Sequence, residues 1–131
     1  MFAVTIADAA ARNETFRTVL DTSPHTQVVA MTLQVGEDIG REVHADNDQV
    51  LLFTEGTARA EVGDERRDVS AGDLVVVPAG TEHNFTNTGS GPLRLLTIYG
   101  PPHHAPGTVH RTKADAEAAE AAGEDQPPGT P

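Results

Sequence analysis

Short apolar segments, each ended by a glycine, a proline or a cluster of Asp and Asn, recur along the chain from residue 15 to residue 100. Segments of this length bounded by turn residues are typical of β-strands. In the segment 27–35, Val29, Met31, Leu33 and Val35 fall on every second residue, so the pattern turns these four side chains towards a core. Recurrent short strands of this kind predict an all-β domain, a sandwich or a barrel.

The predicted strands are antiparallel and follow one another through short turns. Gly63-Asp64 has the composition of a tight hairpin between two of them. The continuous apolar run 74–77 predicts a strand buried on both faces. The strands are expected at residues 15–20, 27–35, 41–44, 49–55, 57–62, 65–69, 74–77, 83–88 and 93–99.

The two ends of the chain differ in composition from the middle. Residues 1–14, which include a short Ala-rich run, predict a strand start or a brief helix on the outside of the domain. Thr112 is placed to cap a short helix that Gly123 ends. Residues 124–131 contain three Pro and no aromatic residue, which favours a disordered tail. We therefore expect one domain over residues 1–123, with its core at about 15–100.

Composition limits the possible binding partners of the chain and the donor atoms that a metal site could use. The chain of 131 residues has the length of a single domain and a formal charge of −11, and such a charge repels nucleic acid. No apolar stretch reaches the length that spans a membrane, and the N-terminus does not resemble a secretion signal, so we expect a cytoplasmic protein. Because the chain has no cysteine, any metal site must use nitrogen and oxygen donors.

Two stretches punctuated by glycine carry the most specific pattern. In the first, five residues separate Gly36 from Glu42, and the other anchors are His44, Gln49 and Gly56. The second has its anchors at Gly72, Pro78, Gly80, His83 and Asn87. This pair of stretches resembles the two motifs of the cupin family. The second stretch matches every anchor of the second cupin motif, and the resemblance extends over nearly the whole chain.

The resemblance implies a jelly-roll β-barrel that holds one divalent metal ion, such as Fe, Mn, Ni or Zn. The implied ligands are Glu42, His44, Gln49 and His83. Glu42 stands where the family usually has its first His, and Gln49 stands where it usually has Glu, so the set keeps one carboxylate. Glu42 and His44 are two residues apart on an extended strand, so their side chains leave the same face.

Alternatives to this ligand set come from the same residues. His44 with Asp46 would form a rival pair two residues apart, but that register breaks both glycine spacings. Gln49 could instead hydrogen-bond Glu42 or a bound water from outside the ligand set. Glu42 could be a solvated strand residue beside Arg41.

The remaining histidines and the apolar neighbours of the site complete the expectations. His25, His103, His104 and His110 lie in polar or Pro-rich segments and are expected in loops or on the surface, although the last three could fold over the barrel mouth. Strand parity predicts that a set of apolar side chains lines the pocket around the polar cluster. These pocket-lining residues are Met31, Leu51, Phe53 and Phe85.

The resemblance leaves several functions open, because a fold does not determine a reaction. The leading expectation is a metal-dependent enzyme of the oxygenase or dioxygenase type that acts on a small organic molecule, since two His and one carboxylate compose a known iron-binding triad. A sugar or sugar-phosphate isomerase and a non-catalytic binding barrel are the alternatives. We expect a homodimer, because strands such as 93–98 carry apolar residues on both faces.

Overall fold

The computed structural model describes residues 1–128 and consists of nine strands with one helix near each end. The elements are α1 (Ile6–Ala11), β1 (Arg17–Thr22), β2 (Gln27–Leu33), β3 (Asp48–Glu55), β4 (Thr57–Val62), β5 (Glu65–Ser70), β6 (Leu74–Val77), β7 (His83–Asn87), β8 (Leu93–Gly100), β9 (Val109–His110) and α2 (Lys113–Ala121). None of the helices in this described part is long and apolar enough to cross a membrane. The cytoplasmic location stays a prediction.

The strands form two antiparallel sheets that share one core. Six strands lie in the order β6-β3-β8-β2-β1-β9, and three in the order β5-β4-β7. The inward side chains of both sheets meet in one cluster, where the Phe53 ring of the large sheet lies 5.8 Å from the Phe85 ring of the small sheet. The predicted all-β antiparallel architecture is confirmed.

The inward-facing residues of the large sheet lie in rows across its strands. One row pairs Gln27, Tyr99 and Gln49, which are all at most 2% exposed. A row deeper in the barrel pairs Met31, Leu95 and Phe53. The polar row lies at one end of the barrel and the apolar row fills its interior, so the interior supports a polar site at that end.

Two glycines serve the turns that the strands need. Gly63 has a φ of 57° in the predicted β4–β5 hairpin, a conformation that side chains disfavour. Gly56 has a φ of 90° between β3 and β4, and a Cβ there would lie 2.7 Å from the carbonyl oxygen of Pro92. Gly56 therefore lets the end of β3 pass close to the start of β8.

Several boundaries differ from the expectations. The segment 41–44 forms only an isolated bridge, and β9 was not predicted. β6 is an edge strand, so Leu74 and Val76 are 55% and 53% exposed; the prediction of burial on both faces was wrong. Val35 lies beyond β2 and is exposed, whereas Val29, Met31 and Leu33 are buried as predicted.

The C-terminal part returns to the barrel. The Thr112 hydroxyl accepts a hydrogen bond from the backbone N–H of Asp115, which caps α2 as predicted. The tail predicted to be disordered from residue 124 is instead in contact with the domain at Asp125, because its carboxylate bonds to His104 and to the backbone N–H of Ala105. Residues 129–131 of the predicted tail lie outside the described residues.

Candidate metal centre

The two glycine-punctuated stretches meet through their backbones. The N–H of Glu42 donates to the carbonyl oxygen of His83, and the N–H of His83 donates back to Glu42, both at 3.0 Å. The N–H of Gly80 donates to the carbonyl oxygen of His44 at 2.9 Å. Residues bridged in this antiparallel manner point their side chains to the same face. The bridge thus brings the two stretches together, as their spacing implies.

Three candidate ligands converge at the end of the barrel. Donor atoms of Glu42, His44 and His103 all lie within 4.8 Å of one another. Oε2 of Glu42 is 3.0 Å from Nε2 of His44, yet that buried nitrogen makes no hydrogen bond of normal geometry to any of the residues 1–128. Ligands at about 2.0 to 2.2 Å from one ion are separated by distances of this size. The donors therefore fit a small divalent cation.

His83 adjoins these three residues without belonging to the tight group. Its ring centroid lies 4.9 Å from that of His44. Its Nδ1 is 2.9 Å from the carbonyl oxygen of Thr81, so Nδ1 carries the proton and Nε2 keeps the lone pair that a metal would need. His83 as a ligand stays a prediction, with the correct nitrogen available.

Gln49 connects to the site through hydrogen bonds rather than through the donor group. Its Nε2 donates to the hydroxyls of Thr97 and Tyr99, at 2.9 and 3.2 Å. Its Oε1 is buried and has no hydrogen-bond partner among residues 1–128. The Tyr99 ring lies 5.7 Å from the His44 ring. Gln49 thus holds a free carbonyl oxygen beside the site, and its role as a ligand stays a prediction.

His103 was expected in a loop or on the surface, with folding over the barrel mouth as the alternative, and the structure shows the alternative. Its ring lies 4.1 Å from the ring of His44 and stacks on Tyr99 at 5.2 Å. Two barrel side chains hold its segment: Gln27 accepts the backbone N–H groups of His103 and His104, and Asn47 donates to the carbonyl oxygen of Pro101. The available signal was a His pair directly after Pro101-Pro102, where the last barrel strand ends.

The other three histidines were expected in loops or on the surface, and they differ in how far they meet this expectation. His25 is exposed in a turn as predicted. His104 lies in a loop as predicted, but it is only 4% exposed and His110 only 7% exposed, so neither lies on the surface. His104 is fixed by Asp125, whose Oδ2 lies 2.6 Å from its Nδ1, and His110 lies in β9 against β1. Asp46 is exposed at the rim of the cavity and is not one of the grouped donors.

A cavity of about 480 Å³ opens at these residues. The predicted pocket-lining set does not form its wall, because Met31, Leu51, Phe53 and Phe85 are buried in the core beneath it. Strand parity correctly turned these side chains inward, but the cavity lies at the rim of the barrel. The wall includes Arg17, Glu42, His44, His103, His104 and Asp125.

The pKa values favour neutral imidazoles beside an ionised carboxylate. Burial lowers the pKa of His83, and burial together with the charges of His104 and His44 lowers that of His103 to about 3. Burial alone would raise the pKa of Glu42, but the neighbouring His44 and the charge of Arg17 lower it below its ordinary value. Neutral imidazole and ionised carboxylate are the forms that bind metal ions.

Comparison with known proteins decides the family. A cupin domain model matches residues 29–99, which is more than half of the chain. The chain belongs to the cupin family. Both glycine-punctuated stretches, 36–56 and 72–87, lie within the matched range, so the expected motifs are those of the family.

Three relatives are similar to this cupin over more of the chain than the family model matches. The uncharacterized protein YrkC of Bacillus subtilis is 49% identical over 91% of this chain and 67% of its own length. The uncharacterized protein L612 of Acanthamoeba polyphaga mimivirus is 40% identical, over 83% of this chain and 71% of its own. The crystal structure of BH2720 from Bacillus halodurans superposes with a TM-score of 0.88 at 46% identity and covers 90% of this chain and 94% of that one.

Proposed function

We propose that this cupin is a divalent-metal-dependent enzyme of the oxygenase type that acts on a small organic molecule. The observation that carries the proposal is the grouping of Glu42, His44 and His103 within 4.8 Å at a cavity. Two imidazoles and one carboxylate are the composition of the triad that binds non-haem Fe(II) in oxygenases. Such a triad leaves coordination positions for substrate.

The residues around the group suit the binding of one ion. The carboxylate of Glu42 offsets half of a divalent charge, and the neutral rings of His103 and His83 need lose no proton at pH 7. A divalent ion bound there would supply a Lewis acid or an oxygen-activating centre. Burial raises the pKa of the Tyr99 phenol, which stays protonated and fixes the position of Gln49.

The test combines metal content with reaction screens. Protein reconstituted with Fe(II) should bind about one ion per chain and take up oxygen with at least one member of a panel of small organic molecules. Glu42→Gln preserves the shape of the side chain and should weaken metal binding while circular dichroism shows a folded barrel. Sugar turnover without oxygen uptake would favour the isomerase alternative. Wild-type protein that binds no metal would favour a non-catalytic barrel.

We also propose that the protein is a homodimer, and the outer face of the six-stranded sheet supports this proposal. Val76 on β6 lies opposite Val50 on β3, which lies opposite Ile98 on β8, so aliphatic side chains form a row across three strands. Leu74 and Leu52 form part of a second row. A contiguous apolar surface is a candidate for association. Light scattering after size-exclusion chromatography should give twice 13.8 kDa; a mass of 13.8 kDa at micromolar concentration would contradict it.

A further inference from the structure

The cavity contains a buried arginine that forms no ion pair with any of the residues 1–128, although its Cζ lies 5.3 Å from the centre of the Phe16 ring. The Arg17 side chain on β1 is 5% exposed and contributes to the cavity wall beside Glu42 and His44. Among residues 1–128, no carboxylate oxygen forms an ion pair with its guanidinium, and its buried Nε has no hydrogen-bond partner. A guanidinium stays charged at any pH that proteins tolerate, and a buried charge is costly unless it is paired.

The two less exposed carboxylates of the cavity wall already have other partners. Glu42 lies against His44, and Asp125 bonds to His104 and to the backbone N–H of Ala105. The one polar side-chain contact of Arg17 within residues 1–128 is a long one, 3.4 Å from Nη1 to Nδ1 of His110. This contact uses Nη1 and leaves the edge formed by Nε and Nη2 available for a ligand. That edge is the one that pairs side-on with a carboxylate.

The other arginine in the cavity wall differs in this respect. Arg41 forms ion pairs with Glu61 and Glu82, so its charge is already compensated within the protein. Within the described part of the chain, Arg17 therefore provides a positive charge without a direct ion pair, in a cavity wall that also contains the acidic side chains of Glu42, Asp125 and Glu120. One cation among several acids favours a monoanionic carboxylate over a phosphate, which carries more negative charge.

We propose that Arg17 binds the carboxylate of a small organic acid, whose remaining part reaches the donor group of Glu42, His44 and His103. This inference rests on the proposed function for the identity of the substrate, but the anion site itself does not require the metal. The net charge of −11 opposes binding only weakly, because exposed charges are largely screened beyond about 8 to 10 Å, whereas a buried ion pair is screened much less.

The test uses glycolate and its neutral isostere glycolamide as probes, titrated by NMR into the ¹⁵N-labelled full chain, both metal-free and loaded with Zn²⁺. Glycolate should shift the Nε–H signal of Arg17 and bind at least about tenfold more tightly than glycolamide, because a charged acceptor strengthens the hydrogen bonds. Arg17→Gln should lose this preference, and Arg17→Lys should regain part of it. The matched control Arg41→Gln, at an arginine already paired, should keep the wild-type affinities.

Equal binding of glycolate and glycolamide to the wild type would overturn the proposal even if Arg17→Gln failed to fold. Tighter binding of inorganic phosphate than of glycolate would overturn the choice of a carboxylate. The metal content of the same samples separates the two proposals. Glycolate bound through Arg17 by a protein that takes up no Zn²⁺ would support the anion site and contradict the proposed function. Zn²⁺ uptake with no preference for glycolate would contradict only the anion site.

Discussion

The candidate site has two halves that are held in place by different means. Glu42, His44 and His83 lie on or beside strands, and reciprocal backbone hydrogen bonds join Glu42 to His83. His103 and His104 lie on the segment that returns after β8, and side chains of the barrel and the tail hold them. A backbone ladder survives most single substitutions, whereas a segment held by a few side chains depends on each of them.

We call Glu42, His44 and His83 the strand half of the site, and His103 and His104 the return half. This difference gives the strand half a fixed geometry and makes the return half the adjustable part of the site. Gln27 shows the dependence most clearly, because its Oε1 accepts two backbone N–H groups of the return segment while its Nε2 donates to the carbonyl oxygen of His104. Substitutions in the two halves should therefore act differently on metal binding and on stability.

The largest effect is expected in the strand half. His44→Ala removes a buried donor whose neighbours remain in place, so metal affinity should fall by more than about 100-fold, beyond the effect typical of residues that only support a ligand. The measurement is metal stoichiometry by mass spectrometry after dialysis, with circular dichroism to verify folding. His25→Ala, at an exposed histidine that is not one of the grouped donors, is the control. Full metal occupancy in His44→Ala would place the site elsewhere.

The second effect tests whether the return half depends on one side chain. Gln27→Leu leaves the N–H groups of His103 and His104 without their acceptor, so stability should fall by about 2 kcal/mol. Metal affinity should fall by about 10- to 100-fold, because His103 loses its support. Urea unfolding and metal titration measure the two losses. Gln34→Leu, at an exposed glutamine, should change neither; unchanged metal affinity in Gln27→Leu would remove His103 from the ligand set.

A smaller effect is expected at Gln49, although it lies on a strand. Water can replace a neutral amide oxygen as a ligand, so Gln49→Ala should lower metal affinity by less than His44→Ala or His83→Ala does, by about tenfold or less. Competitive titration with a metal-binding dye resolves a difference of this size. A loss equal to that of His44→Ala would show that the amide oxygen is an essential donor.

The smallest effect is expected on the stability of the metal-free protein at acid pH. The folded protein holds the pKa of His103 at about 3, below its ordinary 6.5, so the unfolded chain takes up a proton first as the pH falls. The stability present above pH 6.5 is therefore lost as the pH falls towards 3. The pKa difference alone would give about 2 kcal/mol between pH 7 and pH 5, and solvent screening at the partly exposed ring reduces it. Relative to pH 7, His103→Asn should therefore lose less stability at pH 5 than the wild type, by about 1 kcal/mol or about 3 °C in melting midpoint. If the stabilities of the two proteins fell in parallel as the pH is lowered, the burial of a neutral His103 ring would be contradicted.

Sequence reasoning succeeded for the strand half because its signals are local. Alternation predicted the inward faces of Met31 and Phe53, and glycine spacing brought Glu42 next to His83. The return half depends on contacts between residues about 20 to 80 positions apart, such as His104 with Asp125 and with Gln27. No local periodicity encodes such contacts, so His103 and the buried Arg17 were found only in the folded chain.

The most direct test of the metal centre is a crystal of the Zn²⁺-loaded protein, with anomalous diffraction recorded on both sides of the zinc edge. One strong anomalous peak is expected at about 2.0 to 2.2 Å from a carboxylate oxygen of Glu42 and from ring nitrogens of His44 and His103. A ring nitrogen of His83 should lie at the same distance from the peak if His83 is also a ligand, as its sequence motif predicts. No peak at the barrel mouth, or a peak bound by other side chains, would contradict the account.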